Sequence, residues 1–446
     1  MTACSSGAGR NEDRADRLDL AAVAEAAFLA GIPLVTTVRT MQTFAQLIGV
    51  NRLFVTPRLV DPSSRLVVAP NRDTVYALAV LDLRGGPQVL SVPEIADRYY
   101  VLQFLDAWLG GFGLIGTRAT GGRAGSWVVV APDHGDGADT IPDDLERLDC
   151  PTALAFVLGR LRAVDDGDAA PAAAVGRQFE LRPLAAVAGT PTPPDAPALP
   201  PPVDTPQSVG DNGVEFFDEL GDALVGNPPV SDEQEAAITA AEALGVGASR
   251  HPITDADRTQ IAALRRAVTS GLDELAEPTG VGVRNVNGWN VNLELGRADT
   301  NQGLRERAVI ARYFWGPVPA EEAVYPVATA ASDGQPLDGT KRYRIRFPAD
   351  DLPPVDGFWS LTVYGEDMFL VPNPAGRYSI SGDTPGLAAN EDGSIDVYLQ
   401  QTAPPGHETN WLPVPAGPFN LIMRLYLPRQ AILDGSYDYP PITVLA

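Results

Sequence analysis

The sequence predicts an α+β protein with N-terminal helices and an antiparallel sheet, a helical middle segment and a C-terminal jelly-roll-like β-sandwich. Three features lead to this prediction. The chain has 446 residues, more than the roughly 250 to 300 at which one hydrophobic core stops growing, so two domains or more are expected. Its 43 glycines and 41 prolines separate short segments with a period of two, which is typical of strands joined by turns. Helical spacing is confined to the N-terminal and middle parts.

The first element with helical spacing covers residues 18–48 and opens the predicted N-terminal domain, residues 18–182. Gly31 and Pro33 are expected to divide it into two helices. A period of two then predicts strands, and a final apolar stripe within 139–162 is interpreted as a strand end followed by a helix. The predicted strands cover 66–68, 74–83, 88–92, 99–106 and 127–130.

Nine prolines lie in residues 183–206, which predicts an extended strap laid over the surface. Residues 207–330 form the predicted helical middle segment, with Ser231 and Thr254 as N-caps. Its helices are predicted at 213–224, 231–244, 254–275 and 301–313.

Residues 331–446 form the predicted sandwich. From Lys341 onward the alternation is regular: Tyr343, Ile345 and Phe347 are expected to face inward, and the intervening arginines outward. Short strands with Gly, Pro and Asn turns follow, which favours a two-layer antiparallel fold. They are predicted at 358–364, 369–371, 377–380, 395–400 and 419–427.

The charge and the cysteine content exclude several classes of function. With 57 acidic and 33 basic residues the net charge is −24, so nucleic acid and anionic lipid headgroups are not expected as partners. Cys4 and Cys150 are too few for a disulfide framework or a four-thiolate zinc site, and the three histidines show no metal-binding spacing. The single lysine, Lys341, lies in no phosphate-binding motif, which excludes a Walker-type nucleotide site. We expect neither a metal nor a cofactor.

The first residues, MTACSSG, are similar to the cleavage end of a bacterial lipoprotein signal, in which small residues precede a lipidated cysteine. This interpretation makes Cys4 the lipidation site, residues 1–17 a tether, and the protein an extracytoplasmic lipoprotein of the cell envelope. It requires a basic and an apolar stretch upstream of Met1. The alternative is a cytoplasmic protein with a disordered N-terminal tail, and both interpretations stay open.

Several motifs resemble known bacterial families. PNRDTVYALAVLDL, VLSVPEIADRYYVLQFLDAW and IGTRATGGRAGSWVVVAP resemble domain of unknown function 1254. NGW, DGFWSLTVYGEDMFLVPNPAGRYSI, DGSIDVYLQ and NWLPVPAGPFNLIMRLYLP resemble domain of unknown function 1214, which commonly follows it. The resemblance runs from about residue 20 to the end. It implies a two-part architecture and frequent export, and it carries no agreed reaction.

Polar side chains within otherwise buried strand patterns make residues 70–118 the best candidate site, since buried polar groups need partners. A carboxylate beside a tyrosine could act as an acid/base pair, with an arginine holding an anionic substrate group. The alternative is a satisfied structural network in which Asn71 and Asp73 cap a turn. The catalytic candidates are Asp73, Tyr76, Tyr100, Asp106 and Arg118, and Tyr99 and Gln103 are ligand-binding candidates.

Aromatic residues could line an apolar cleft between the two domains, where ligand pockets often occur. Core packing is the alternative for each of them. The ligand-binding candidates are Trp289, Trp359 and Trp411, and Trp315, Tyr313 and Tyr364 could accompany them.

Two hypotheses of function follow. The first is an extracytoplasmic protein that binds or transforms a small apolar or amphipathic molecule in an inter-domain cleft. The alternative is a structural or assembly protein whose β-sandwich mediates homo-oligomerisation.

Overall fold

One long helix, α1 (Leu20–Ile48), opens the structured part of the chain. The computed structural model describes residues 19–132, 141–191, 194, 196–276, 282–296 and 303–445. The prediction of two helices was wrong, because Pro33 lies inside α1 and Gly31 serves close packing. A Cβ atom at Gly31 would lie 2.8 Å from the side chain of Leu220. Burial of the central turns against other helices holds α1 together across the proline.

The other helices follow in the middle of the chain and at its end. Ser231 caps α5 (Asp232–Ala241) as predicted. The prediction that Thr254 is a cap was wrong, because Thr254 lies inside the short helix α6 (Pro252–Asp255). Asp257 caps α7 instead, in a reciprocal capping box with Gln260, because the short α6 ends just before it. The helices are α2 (Asp166–Gly176), α3 (Leu184–Ala188), α4 (Phe216–Ala223), α5 (Asp232–Ala241), α6 (Pro252–Asp255), α7 (Arg258–Leu275), α8 (Leu304–Tyr313) and α9 (Gln430–Leu433).

The N-terminal strands form two sheets in the described residues. The first has the order β1-β2-β8-β4-β5 and is antiparallel, and the second has the order β7-β6-β3-β9. Residues 66–68, which were predicted to be a strand, form none in the structure. The strands are β1 (Phe54–Val55), β2 (Thr74–Asp82), β3 (Gln88–Val92), β4 (Tyr100–Asp106), β5 (Gly111–Gly116), β6 (Gly125–Val130), β7 (Glu146–Asp149), β8 (Leu154–Arg162) and β9 (Glu180–Pro183).

The first sheet lies between the helices and the second sheet. Ala77, Ala79 and Val157 face the second sheet, while Leu78 and Phe156 face the α1 layer. The predicted helix within 139–162 was wrong, because β8 is a central strand that is buried on both faces. A segment that is apolar on all sides does not reveal its period, so strand and helix cannot be separated from it.

Gly159, in the middle of β8, allows its neighbours β2 and β4 to approach closely. A Cβ atom there would lie 2.5 Å from Leu102 and 2.8 Å from the backbone oxygen of Ala77. We expect Gly159→Ala to lower the free energy of unfolding by about 2 kcal/mol, because the backbone oxygen cannot move aside. Urea denaturation measures this. Gly111→Ala on β5 is the matched control, since its Cβ atom would meet nothing within 4 Å. Equal effects of the two substitutions would contradict the packing argument.

The C-terminal strands form two facing sheets. The larger follows the order β10-β11-β13-β19-β15-β16, with β12 also paired to β19, and the smaller has the order β18-β17-β14-β20. The larger sheet uses strands from before residue 331, so the sandwich begins inside the segment predicted to be helical. Residues 369–371 form no strand. The strands are β10 (Val283–Val286), β11 (Trp289–Asn292), β12 (Ala323–Val324), β13 (Val327–Ala328), β14 (Arg342–Phe347), β15 (Trp359–Gly365), β16 (Ser379–Ser381), β17 (Ile395–Gln400), β18 (Trp411–Pro413), β19 (Phe419–Tyr426) and β20 (Ile442–Leu445).

The sandwich core lies between these two sheets. Tyr343, Ile345 and Phe347 of β14 are buried in it, as predicted, against residues such as Leu421 and Met423 of β19. The alternate residues of β19 face the other way, toward the N-terminal sheet. The two halves of the chain therefore meet across the outer face of β19 and β15.

In the proline-rich residues 183–206, Pro183 ends β9, α3 follows, and Pro206 begins a 3-10 helix. The described residues between 189 and 205 have no regular structure. Backbone oxygens of this segment accept hydrogen bonds from Arg84, Gln46 and Arg39. These bonds fasten the segment to α1 and to the turn after β2.

In the described part of the chain, α1 is the helix that is long and apolar enough to span a membrane. Within its most apolar window 72% of the residues are buried inside the fold, as in a core helix. Cys150 is also buried, and burial raises the pKa of its thiol to about 12. The proposed lipidation site Cys4 lies outside the described residues.

Candidate functional site

A cavity of about 440 Å³ lies where the N-terminal sheet, α1 and the C-terminal sandwich meet. Its walls are mostly apolar, and its volume is in the range of small-molecule sites. The segment 63–71 forms one side of the cavity. Tyr325 and Val327 line both the cavity and an adjoining groove. The apolar side chains of its wall include Phe44, Val60, Leu66, Val67, Leu78, Phe156, Leu158, Leu295, Phe314, Trp315, Val327 and Ile422.

Arg160, on β8, lines the cavity from the N-terminal sheet. It donates from Nη1 to Oε1 of Gln103 at 3.2 Å and from Nη2 to the backbone oxygen of Gly316 at 2.6 Å. Gln103 donates in turn to the oxygen of Pro317 at 2.7 Å. The buried guanidinium is thus held by neutral acceptors, and no carboxylate lies within ion-pair distance of it among the residues described.

Arg424, on β19, lines the cavity from the sandwich. Its Nη1 donates to Thr362 at 3.0 Å, and its Nη2 donates to the Tyr364 hydroxyl at 2.7 Å and to the backbone oxygen of Ala69 at 3.0 Å. The Tyr364 hydroxyl donates to the oxygen of Pro70 at 2.7 Å. Arg424 therefore ties the segment before β2 to the sandwich through neutral groups.

Tyr76 and Tyr325 place phenol groups in the cavity wall. The hydroxyl of Tyr76 accepts from the backbone N–H of Asn71 at 2.9 Å, which leaves its own proton available. The hydroxyl of Tyr325 is buried and has no hydrogen-bond partner within the described ranges. Burial raises the pKa of both phenols, against the lowering influence of Arg160 and Arg424. Both groups are therefore protonated donors at neutral pH.

Asp73 lies behind this wall, at the start of β2. Its Oδ2 accepts from the Ser360 hydroxyl at 2.5 Å, and its Oδ1 is 4.0 Å from Nη1 of Arg162. Its backbone N–H donates to the side chain of Asn71, whose amide donates to the Tyr426 hydroxyl. Asp73 is sealed in the contact between the two halves, and this matches the structural alternative for Asn71 and Asp73.

Tyr99 and Arg118 meet at a second carboxylate, Glu322. Tyr99 donates to Oε1 and Arg118 Nε donates to Oε2, both at 2.8 Å. Burial and the neighbouring carboxylate raise the pKa of Tyr99 well above its ordinary value. Arg118 therefore neutralises a buried acid of the C-terminal half, Tyr99 donates a hydrogen bond to it, and neither residue lines the cavity.

Tyr100 and Asp106 lie on the opposite face of β4 from Gln103. Tyr100 packs in the core between the two N-terminal sheets, against Phe179. Asp106 closes a turn by accepting from the backbone N–H groups of Trp108 and Gly110 through Oδ1. Burial raises the pKa of Asp106 to about 6. The structure therefore does not bring these two candidates together with Asp73 and Tyr76.

The tryptophan candidates lie in and beside the sandwich core. Trp289 is fully buried and donates to the oxygen of Pro440, and Trp359 stacks on Phe347 with 4.4 Å between ring centroids. Trp411 donates to the oxygen of Gln400. None of the three lines the cavity, whereas Trp315 does.

Two cavity residues, Arg160 and Arg424, were missed by sequence reasoning. Each is an arginine inside a strongly apolar strand, LAFVLGRLR and FNLIMRLY. A charged residue in such a strand signals a buried polar contact. Arg160 could not be assigned to a face because its strand was interpreted as a helix. Within the described ranges, no group of three or more His, Cys, Asp or Glu side chains is arranged to hold a metal ion.

Comparison with known structures supports this architecture. The crystal structure of the VPA0106 protein from Vibrio parahaemolyticus is similar over 96% of this chain and 100% of its own, with 25% identity and a TM-score of 0.72. A crystal structure of an uncharacterized protein from Burkholderia cenocepacia aligns over 96% of this chain and 94% of its own, with 14% identity and a TM-score of 0.47. No match was found among the curated proteins.

Two family models match the chain. Protein of unknown function (DUF1254) matches residues 50–183, and Protein of unknown function (DUF1214) matches residues 322–430. The matches confirm the predicted resemblance, and together they cover more than half of the chain. The cavity lies between the two matched regions, since Arg160 belongs to the first and Arg424 to the second. The chain therefore belongs to the bacterial family that combines an N-terminal DUF1254 region with a C-terminal DUF1214 region.

Proposed function

We propose that this protein binds a small apolar or amphipathic molecule in the cavity between its DUF1254 and DUF1214 regions. The observation that carries the proposal is the cavity itself, about 440 Å³ in volume and lined by aliphatic and aromatic side chains. Water molecules are poorly accommodated between apolar walls because they find few hydrogen-bond partners there, whereas a hydrocarbon group is well accommodated. Polar groups at one end, Arg160, Arg424, Tyr76 and Tyr325, would orient an amphipathic molecule.

A neutral fluorescent probe tests this proposal. N-phenyl-1-naphthylamine is expected to gain fluorescence on binding the purified protein, and Val60→Trp is expected to abolish the gain because the larger ring fills the cavity. Val203→Trp is the matched control, since Val203 is exposed on the proline-rich segment. Equal fluorescence gains in the two variants, or no gain in the unsubstituted protein, would contradict the proposal.

We further propose that the protein acts outside the cytoplasm as a lipoprotein modified at Cys4. The support is the MTACSSG motif, and the burial of Cys150 suits an oxidising compartment because its thiol is protected. An in-frame upstream extension should encode a basic and an apolar stretch. Expression from it should give a membrane-associated product that Cys4→Ser releases. If the Cys4→Ser protein fractionates in the same way as the unsubstituted protein, the proposed lipidation at Cys4 is contradicted.

A further inference from the structure

The cavity wall has a one-sided charge in a protein that is otherwise strongly acidic. The charged side chains lining it are Arg65, Arg160 and Arg424, and no Asp or Glu of the described residues lines it. Arg65 is exposed and pairs with Asp367 at 2.5 Å. Arg160 and Arg424 are only 7% and 3% exposed, and their guanidinium groups stay protonated. Burying such charges without a partner is costly, so their retention calls for an explanation.

The nearby carboxylates do not balance the guanidinium groups. Arg118 is neutralised by Glu322, and Arg162 lies beside both Asp383 and Asp73. Asp73 interacts electrostatically with Arg424, but its oxygens already face Ser360 and Arg162. Arg160 has no carboxylate within ion-pair distance among the residues described. Among the described residues of this region, four buried or half-buried guanidinium groups therefore face three carboxylates. In the described part of the chain, the charged side chains at the inner end of the cavity, Arg160 and Arg424, are both positive.

Unused hydrogen-bond donors accompany this charge. A guanidinium has five N–H donors. In the part of the chain that the structure describes, Arg160 uses two of them and Arg424 uses three, all on neutral acceptors. The Tyr325 hydroxyl is unpartnered there, and the Tyr76 hydroxyl proton is free to be donated. These donors line the same cavity from β2 and β8 of the N-terminal half, and from β19 and the β12–β13 connection of the C-terminal half.

We propose that the ligand of this cavity is an apolar molecule with a single anionic group, such as an aliphatic monocarboxylate. The anionic group is bound by Arg160 and Arg424 and accepts hydrogen bonds from Tyr325 and Tyr76, while the hydrocarbon part fills the apolar wall. Charge-assisted hydrogen bonds of this kind are the stronger class, and here they are shielded from water. The inference rests on the proposed function and adds the chemical class of the ligand.

Displacement of N-phenyl-1-naphthylamine from the purified protein tests the class. Decanoate is expected to compete about 10-fold more strongly than 1-decanol, and the cation decyltrimethylammonium is expected to compete least. Equal competition by decanoate and 1-decanol would overturn the proposal while leaving the binding of an apolar molecule intact. Failure of the neutral probe itself to bind would instead contradict the proposed function.

Three variants locate the anion. Arg160→Met is expected to weaken decanoate binding about 10-fold or more, and Tyr325→Phe about 5-fold, without weakening the binding of the neutral probe. Tyr325→Phe is expected to leave the protein folded, because it removes a hydroxyl that has no hydrogen-bond partner in the described structure. A loss of decanoate binding in this variant therefore reports on the ligand and not on unfolding. Arg65→Met is the matched control, since its paired and exposed guanidinium lines the outer part of the cavity, and an effect below about 2-fold is expected. Equal losses for Arg160→Met and Arg65→Met would overturn the assignment of the anion to the inner end.

Discussion

Asp73→Asn is expected to lower the free energy of unfolding by about 4 kcal/mol. Asp73 is 2% exposed and is the carboxylate that faces the buried guanidinium groups where the two halves of the chain meet. Removing its charge leaves Arg162 and Arg424 with a larger uncompensated charge in a poorly hydrated space. The Ser360 hydrogen bond can be kept by the asparagine oxygen, so the loss comes mainly from charge. Urea denaturation at neutral pH measures it.

Asp383→Asn is the matched control, because Asp383 pairs with the same Arg162 guanidinium. Its contact is much shorter, 2.5 Å against 4.0 Å for Asp73, but its side chain is 44% exposed. If distance decided the effect, Asp383→Asn would be the more damaging change. Because solvent screens exposed pairs, we expect it to cost less than about 1 kcal/mol. A larger loss for Asp383→Asn than for Asp73→Asn would refute the argument from burial.

The double variant Asp73→Asn/Arg424→Met separates charge from packing. Removing one buried charge of each sign leaves the net charge of the interface unchanged, and the attraction between the two groups is lost only once. The double variant is therefore expected to lose less stability than the sum of the two single variants. A coupling of about 1 to 2 kcal/mol would fit the charge argument. Additive losses of stability would show that Asp73 and Arg424 do not interact electrostatically.

Strand alternation in β2 and β4 could be predicted because their faces differ in composition. The pattern placed Tyr99 and Gln103 opposite Tyr100 and Asp106, and the structure has them so. Residues on opposite faces of one strand point into different spaces, so these four candidates could not all belong to a single site. Regular alternation in β14 was predicted for the same reason.

The cavity could not be predicted, since its walls come from segments far apart in the sequence. Arg160 and Arg424 are 264 positions apart by their numbering, and each lies in a strand whose apolar residues indicate only burial. The period of β8 is hidden because both of its faces are covered. Pro33 was misleading for a related reason: tertiary burial of α1 outweighed the local cost of a proline. The distribution of charge over the fold, rather than any motif, revealed the polar end of the cavity.

Asp106→Asn is expected to stabilise the protein above neutral pH by up to about 3 kcal/mol. The folded protein holds the pKa of Asp106 at about 6, against an ordinary value of 3.8, because burial disfavours the charged carboxylate. Between these two values the folded state binds more protons than the unfolded state. The contribution of Asp106 to stability is therefore fully present below about pH 4 and is lost as the pH rises through about 6. Asparagine keeps the Oδ1 acceptor for the N–H groups of Trp108 and Gly110 and carries no charge.

The measurement is the difference in unfolding free energy between Asp106→Asn and the unsubstituted protein, followed from pH 4.5 to 7.5. This difference should grow by about 2 kcal/mol in favour of asparagine, and the other acidic groups cancel because both proteins share them. Asp350→Asn, at an exposed position, is the matched control. Because Asp106 faces away from the cavity, the binding of N-phenyl-1-naphthylamine should be unchanged in Asp106→Asn. A flat difference for Asp106→Asn would mean that the carboxylate is hydrated, and a loss of probe binding would return Asp106 to the candidate site.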